Sequence, residues 1–273
     1  MNDVRAALVA AARRLGEASD TPRLDAELLM AHALGVTREA LLLSRLDGAV
    51  PTAFATSLDR RLMHEPIAYI LGKRDFWTIT LDVTPDVLIP RPDSETLVEA
   101  AIAHFAKAGP KRVLDLGTGS GALLLAALSQ WPEATGLGID ASEAALAVAS
   151  GNAQRLGLAK RARFARGDWG QGIVDQFDLI LCNPPYVESS AALAPEVADY
   201  EPPAALYAGS DGLDDYRRLM PQLGALMTPG AIVALEIGAG QAALVSEIAG
   251  QAGLNATLYK DLAGHDRCLV LRR

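Results

Sequence analysis

Cysteine, histidine and positive charge are all scarce in this chain, and each shortage removes a class of protein. The two cysteines, Cys182 and Cys268, lack metal-ligand spacing, which points to a reduced, cytoplasmic protein rather than a disulfide scaffold. The four histidines, His32, His64, His104 and His265, are scattered, and no His/Asp/Glu cluster has the spacing of a metal site. Lys and Arg number 25 against 33 Asp and Glu, a net charge of −8. A duplex-binding enzyme carries a basic face, so no stable nucleic-acid binding is expected. No apolar run approaches the ~20 residues of a membrane span, so no membrane partner is expected. The first turns carry Asp3, Arg5, Arg13 and Arg14 and do not read as a signal peptide. There is no internal repeat and no low-complexity segment.

Half of the 273 residues are hydrophobic and 21% are charged, enough for one large core or a large and a small domain. Up to about residue 70 the pattern is helical. Val4, Leu8, Ala11, Ala12 and Leu15 recur at helical spacing, and Gly16 closes the run. Thr21-Pro22 opens a second helix that ends at Gly35, Thr37 caps a third, and a fourth begins near Pro51. Residues 75–90 alternate, with Phe76, Trp77, Ile79, Leu81, Val83, Val87 and Ile89 as the apolar or aromatic partners. With Thr84-Pro85-Asp86 between two runs, they predict a hairpin joining two domains. Arg91 follows, held stiffly between two prolines and free to face a site. Asp93 or Ser94 is the expected cap of a helix over 95–105.

From Lys111 strands and helices alternate, the signature of a parallel sheet. Val113–Leu116 is the first strand, and Gly117-Thr118-Gly119-Ser120-Gly121 the turn after it. The second strand ends at Asp140, with Ser142 capping the next helix. The third ends at Gly167-Asp168-Trp169. The fourth, over 177–182, runs into Asn183-Pro184-Pro185-Tyr186. The fifth spans 231–237. The last two, 255–260 and 267–271, leave no room for a helix between them and must be antiparallel.

Ligands bind at the carboxyl edge of such a sheet, and that edge carries the chain's chemistry. Glycines let backbone approach a ligand, and the helix N-terminus beyond them offers free N–H groups. Gly117-x-Gly119-x-x-Ala122 also fits the dinucleotide fingerprint, and Asp140 would accept from ribose hydroxyls in either case, so a nicotinamide enzyme stays open on these residues alone. Asp168 can accept from an adenine amino group and Trp169 can cover its ring. Asp115 either reaches the ligand's ammonium through water or caps the loop.

Asn183-Pro184-Pro185-Tyr186 is more specific. The prolines stop the strand and hold Asn183 extended. Asn183 offers a side-chain carbonyl, and the Pro184 carbonyl lacks a ladder partner. Two converging acceptors suit an NH2 group, and the flat face of Tyr186 suits a planar amide or base.

This tetrapeptide resembles the motif of methyltransferases that modify planar amino groups with S-adenosylmethionine, among them adenine, guanine and glutamine enzymes. Several further stretches narrow the likeness: Pro66-Ile-Ala-Tyr69-Ile-Leu-Gly72, Ile89-Pro-Arg91-Pro-Asp93-Ser-Glu95, Tyr200-Glu201-Pro202, Asp211-Gly-Leu-Asp-Asp-Tyr216-Arg217 and Leu235-Glu236-Ile-Gly238. Together they resemble the peptide chain release factor glutamine N5-methyltransferases (the PrmC/HemK family) over nearly the whole chain. Ser94 stands where the family carries Thr.

The resemblance implies an α/β fold, a Rossmann-like seven-stranded methyltransferase sheet with its last strand antiparallel. The expected division is an N-terminal helical substrate-recognition domain over 1–73, a β-hairpin linker over 74–92 and a methyltransferase domain over 93–273. It implies S-adenosylmethionine as cofactor, held by Gly117, Thr118, Gly119, Ser120, Gly121, Asp140, Asp168, Trp169 and Asn183. Asn183, Pro184, Pro185 and Tyr186 would hold the substrate amide, with Asn183, Pro184 and Tyr186 acting on the chemical step. The implied partner is a class 1 release factor, methylated on the glutamine of its Gly-Gly-Gln loop. Methylation of a ribosomal protein, amino-methylation of DNA or RNA, and a non-catalytic cofactor-binding module remain the other readings.

Overall fold

The computed structural model describes residues 3–273 and divides into two compact units. One comprises residues up to Lys73 together with Leu193–Tyr200; the other comprises Arg74–Ala192 and Glu201–Arg273.

The first unit is helical: α1 (Val4–Arg14), α2 (Pro22–Leu34), α3 (Arg38–Ser44), α4 (Thr52–Leu62) and α5 (Ile67–Leu71). Local signals set the ends. Asp3 Oδ1 accepts from Ala6 N at 2.8 Å, Thr37 caps α3, and Gly35 closes α2 with φ 65°. Gly16 does not stop α1 outright, because Leu15–Glu17 tightens into a 3-10 turn. Val4, Leu15, Leu29, Met30, Leu41, Phe54 and Leu58 form the core. Beside it lies a buried ion pair, Arg61 Nε to Asp25 Oδ2 at 2.8 Å, whose carboxylate also accepts from Ser19 and Thr21. The second piece of this unit contains the one-turn helix at Pro195–Ala198. It is held by Arg61 Nη1 to Glu196 Oε2 at 2.9 Å and by Tyr200 Oη donating to Met63 O at 2.7 Å.

The second unit begins one residue into β1 (Lys73–Phe76), which forms a two-stranded hairpin with β2 (Ile79–Asp82). The hairpin reverses at Trp77-Thr78, not at Thr84-Pro85-Asp86 as the alternation predicts. Trp77 takes φ 55° to make the tight turn. Thr84–Val87 is a turn as well, with Val87 N on Thr84 O at 3.1 Å, but the run beyond it pairs with no strand. Ile89 N donates instead to the buried carboxylate of Glu201 at 3.1 Å. Period-2 alternation is the same on either side of both turns, so it could not choose between them.

There follow α6 (Glu95–Phe105), β3 (Arg112–Leu116), α7 (Ala122–Gln130), β4 (Thr135–Asp140), α8 (Glu143–Arg155), β5 (Ala162–Arg166) and β6 (Phe177–Cys182). After the Pro195–Ala198 turn, counted as α9, come α10 (Asp214–Leu226), β7 (Met227–Glu236), α11 (Ala242–Gln251), β8 (Asn255–Lys260) and β9 (Asp266–Arg272). The sheet order is β5-β4-β3-β6-β7-β9-β8. Pairs from β5 through to β7 are parallel, and β9 runs antiparallel to both β7 and β8. Alternate strand residues feed opposite cores. Val113, Leu179 and Leu181 pack with residues of α6 and α7, while Leu114, Leu116, Ile180 and Cys182 pack with residues of α10 and α11.

Strand order reverses between β3 and β6. The connections leaving their carboxyl ends part in opposite directions and open a crevice there, where open α/β sheets bind ligands. Leu116 pairs with Cys182, so Gly117 and Asn183, one residue further on, stand side by side at that point.

Candidate active site

The glycine turn after β3 is conformationally demanding. Gly117 has φ 74°, and a Cβ there would lie 3.3 Å from the Trp169 ring. Gly119 N donates to Asp140 Oδ2 at 2.8 Å and Ser142 N to Asp140 Oδ1 at 2.9 Å, so this carboxylate locks the turn to the start of α8. A carboxylate has about four acceptor positions. Two of them remain for a ligand.

Thr118 Oγ1 donates to Asp115 Oδ2 at 2.6 Å, and Leu124 N to the same oxygen at 3.3 Å. Asp115 is buried, its Oδ1 has no partner, and burial pushes its pKa up to about 7. It is absent from the cavity wall and braces the loop from beneath. The Thr118 hydroxyl and the start of α7 both bond to Oδ2, a contact that ties the loop to the strand below it. Gly121, with φ 84°, is likewise a packing position: a Cβ there would press on Leu125 at 3.0 Å.

Asp168 and Trp169 follow β5. Asp168 Oδ1 accepts from Arg218 Nη2 at 2.7 Å, and the same guanidinium reaches Asp215 Oδ1 at 3.1 Å. Asp215 also accepts from Trp169, and its own pKa is raised by burial against the pull of Arg218. Trp169 holds φ 53°, a left-handed backbone that costs a non-glycine residue about 1–3 kcal/mol. Its hydrogen bond to Asp215 and its packing on Gly117 over-determine that conformation.

After β6, Asn183 Nδ2 donates to Ser94 Oγ at 3.3 Å, and Oδ1 accepts nothing from the described residues. The Pro184 carbonyl meets no donor among the described residues. Tyr186 is tied at both ends: its hydroxyl donates to Glu236 Oε1 at 3.2 Å, and its carbonyl accepts from Gln241 Nε2 at 3.1 Å. Tyr216 Oη donates to the Glu236 backbone carbonyl at 3.1 Å. Glu236 is fully buried at the end of β7, and burial lifts its pKa to about 7 while Ser94, Arg267 and Tyr186 pull it down. Burial also pushes the Tyr186 phenol upward. Ser94 does not cap α6 as its position predicts, since its side chain makes no cap hydrogen bond. The hydroxyl accepts from Asn183 Nδ2 instead, and it favours the charged form of Glu236.

These groups wall a cavity of about 560 Å³. Gly117, Thr118, Gly119, Ser120, Asp140, Asp168, Trp169, Asn183 and Pro185 line it; Gly121, Pro184 and Tyr186 do not. The opposite wall escapes sequence reasoning. Phe76, Val87, Leu88 and Pro90 come from the segment around the hairpin, and Pro202, Ala205 and Tyr207 from the loop before α10. The signal that was available is the Arg91–Glu201 ion pair, which joins those two segments. Arg91 is not part of the wall, though its charge acts on Tyr186.

A family model described as PrmC N-terminal domain matches residues 6–72, and one described as Methyltransferase small domain matches residues 94–199. A release factor glutamine methyltransferase of Rhodospirillum rubrum is 48% identical over 261 residues, covering 93% of this chain and 80% of that protein. Another, of Caulobacter vibrioides, is 42% identical and covers 97% and 94%. A solved methyltransferase from Pyrococcus furiosus superposes with a TM-score of 0.52 at 18% identity over 70% of this chain and 87% of its own, a likeness of fold. With two relatives above 40% identity, covered over 80% and 94% of their own length, this chain belongs to the release factor glutamine methyltransferase family.

Proposed function

We propose that the chain transfers the methyl group of S-adenosylmethionine to the side-chain amide nitrogen (N5) of the glutamine in the Gly-Gly-Gln loop of class 1 peptide chain release factors. The observation that carries this reading is the state of Asn183. Its Nδ2 is engaged by Ser94 while Oδ1 and the Pro184 carbonyl beside it accept nothing from the described residues. Two acceptors and no donor at the switch point suit an NH2 group.

The cavity fits the cofactor by the chemistry of its wall. Asp140 keeps two acceptor positions for ribose hydroxyls, Trp169 offers a flat face, and Asp168 presents a carboxylate to an adenine amino group. Gly117 and Gly119 admit backbone to ligand where a side chain would intrude. When bound, S-adenosylmethionine supplies an electrophilic methyl group. The residues of the chain do the rest. An amide nitrogen is a poor nucleophile because its lone pair is delocalised into the carbonyl. Acceptance of both N–H bonds by Asn183 Oδ1 and the Pro184 carbonyl orients that nitrogen and stabilises the positive charge developing on it. Orientation of this kind contributes up to ~7–11 kcal/mol in well-aligned systems. Tyr186 stands outside the cavity wall and, fixed at hydroxyl and carbonyl, holds the end of the Asn183–Tyr186 stretch rigid. The helical unit, whose part up to Lys73 is remote in sequence from every strand-end residue, is assigned to recognition of the release factor.

Labelled S-adenosylmethionine, incubated with the protein and a mixture of release factor, ribosomal protein and nucleic acid, tests the reading. Label on the release factor glutamine supports it. Label on nucleic acid or ribosomal protein replaces it.

A further inference from the structure

A primary amide is nearly symmetrical in shape, so packing alone does not decide which way round Asn183 sits; the hydrogen-bond network does. The reaction proposed above needs Oδ1 toward the cavity. Reversed, the Asn183 NH2 would meet the substrate NH2, two donors with no acceptor between them.

The network beneath Asn183 ends in a group with a definite polarity. An ionised carboxylate only accepts. Glu236 takes a hydrogen bond from the Tyr186 hydroxyl on Oε1, and its charged form is also favoured by the Ser94 hydroxyl. Its Oε2 has no partner of ordinary hydrogen-bond geometry, which leaves room for one more donor at this carboxylate. Ser94 has one proton. If that proton goes to Glu236, Ser94 Oγ has only lone pairs left for Asn183, and the amide must present its NH2 there. The 3.3 Å contact from Asn183 Nδ2 to Ser94 Oγ has this polarity.

We propose that Glu236, acting through Ser94, fixes the orientation of the Asn183 amide so that its carbonyl faces the reacting nitrogen. This rests on the methyl-transfer reading of the site. Glu236 does not line the cavity, and Ser94 lines it without being placed on the reacting atoms, so both are positioning residues. Protonated Glu236 would donate to Ser94, free the serine proton for Asn183, and allow the reversed amide. Burial holds the Glu236 pKa near 7, within the range where this exchange can occur. The charged and titratable groups around it are few. Arg267 favours its ionisation and Asp93 opposes it, with Arg267 Nη2 and Asp93 Oδ2 paired at 3.1 Å. Tyr186 donates to it, and the Tyr216 phenol and the buried thiols of Cys182 and Cys268 are pushed up by burial and by its charge. Cys268 is its neighbour across β9.

The test is single-turnover methyl transfer from S-adenosylmethionine to intact release factor from about pH 5.5 to about pH 9, with cofactor affinity measured separately by calorimetry. The wild-type rate is expected to rise with pH through about 7. Ser94→Ala should lower the alkaline plateau roughly 10- to 100-fold, the scale of a misplaced catalytic group. It should also abolish the pH limb while leaving cofactor affinity unchanged. Ser94→Thr keeps the hydroxyl and should restore both rate and limb. Glu236→Gln carries both a donor and an acceptor, as the protonated acid does, and should hold the low acid-side rate at every pH. A Ser94→Ala enzyme with the wild-type rate and limb overturns the proposal. So does one whose rate, cofactor affinity and melting temperature fall together, because the role would then be structural. If Glu236→Gln does not fold, the Ser94 pair decides alone. A wild-type enzyme that transfers no methyl to release factor overturns the methyl-transfer reading instead.

Discussion

The two ends of the cavity are built differently. At the Asp140 end, between the turn after β3 and the start of α8, a partly exposed carboxylate binds backbone N–H groups, and the glycines bring main chain to the ligand. Asp168 and Trp169 beside it are held by the exposed Arg218 and the buried Asp215. At the Asn183 end, side chains hold side chains. Asn183 leans on Ser94, Tyr186 on Glu236 and Gln241, and the carboxylate at the base is fully buried. A ligand that must only be held can be met by backbone, whose geometry is supplied by the fold. An amide that must be aimed needs groups with a fixed direction and polarity, and those require a dry, fully partnered surround.

Asn183→Ala would break this contrast most sharply. It removes the aimed acceptor and should lower single-turnover transfer on the order of 10²–10³-fold, comparable to deleting one preorganised hydrogen-bonding partner elsewhere. Folding should survive, since the change lies at a strand end, and cofactor affinity is measured separately by calorimetry. Wild-type turnover in this variant would reduce Asn183-Pro184-Pro185-Tyr186 to a turn.

Asp140→Ala tests the opposite end. It should weaken S-adenosylmethionine binding by ~1–3 kcal/mol, the cost of leaving polar partners unpaired, and reduce transfer only through occupancy. Unchanged affinity by calorimetry would remove Asp140 from the site.

A third prediction exploits what the two ends share. Asp115 under the glycine turn and Glu236 under Asn183 are both buried carboxyls raised to about 7. An unfolded chain ionises both near pH 4. Between about pH 4 and about 7 the folded state therefore holds protons that the unfolded state releases, and stability falls as pH rises through that window, then levels off. Melting temperature followed across this range should show the decline, and Asp115→Asn should flatten it. A melting curve that rises from pH 5 to 7 would contradict the burial of both groups as charged-form penalties.

The smallest effect is expected at Ser142, which caps α8 by accepting from Ala145 N at 3.2 Å. Ser142→Ala should cost about 1 kcal/mol of stability, read by chemical denaturation, with single-turnover transfer essentially unchanged. A loss of transfer out of proportion to that cost would mean that the Asp140 end is aimed as finely as the Asn183 end.

Much of the floor of the site was legible in the sequence, because strand ends announce themselves. An apolar run that stops at Asp140, at Gly167-Asp168-Trp169 or at Asn183-Pro184 must place those residues on one edge of a parallel sheet. The supports beneath were not legible. Ser94 reads as a helix cap, and only the fold shows its hydroxyl turned to a residue 89 positions away. Glu236 reads as the polar end of a buried strand, and Tyr216 as one more aromatic on a helix. The hairpin turn was misplaced for a related reason: alternation specifies faces, while the choice of turn depended on Trp77 accepting a left-handed backbone and on Glu201 capturing Ile89 N.

By itself, then, the sequence determined which residues stand at the carboxyl edge, since hydrophobic period and chain-breaking residues act locally and survive in one dimension. The pairing of β3 with β6, which sets Gly117 against Asn183, was decided by tertiary structure. So were the burial of Glu236 and the direction in which the Asn183 amide points. Burial and hydrogen-bond polarity are properties of surroundings, and here Ser94 and Glu236 come together from positions 142 residues apart.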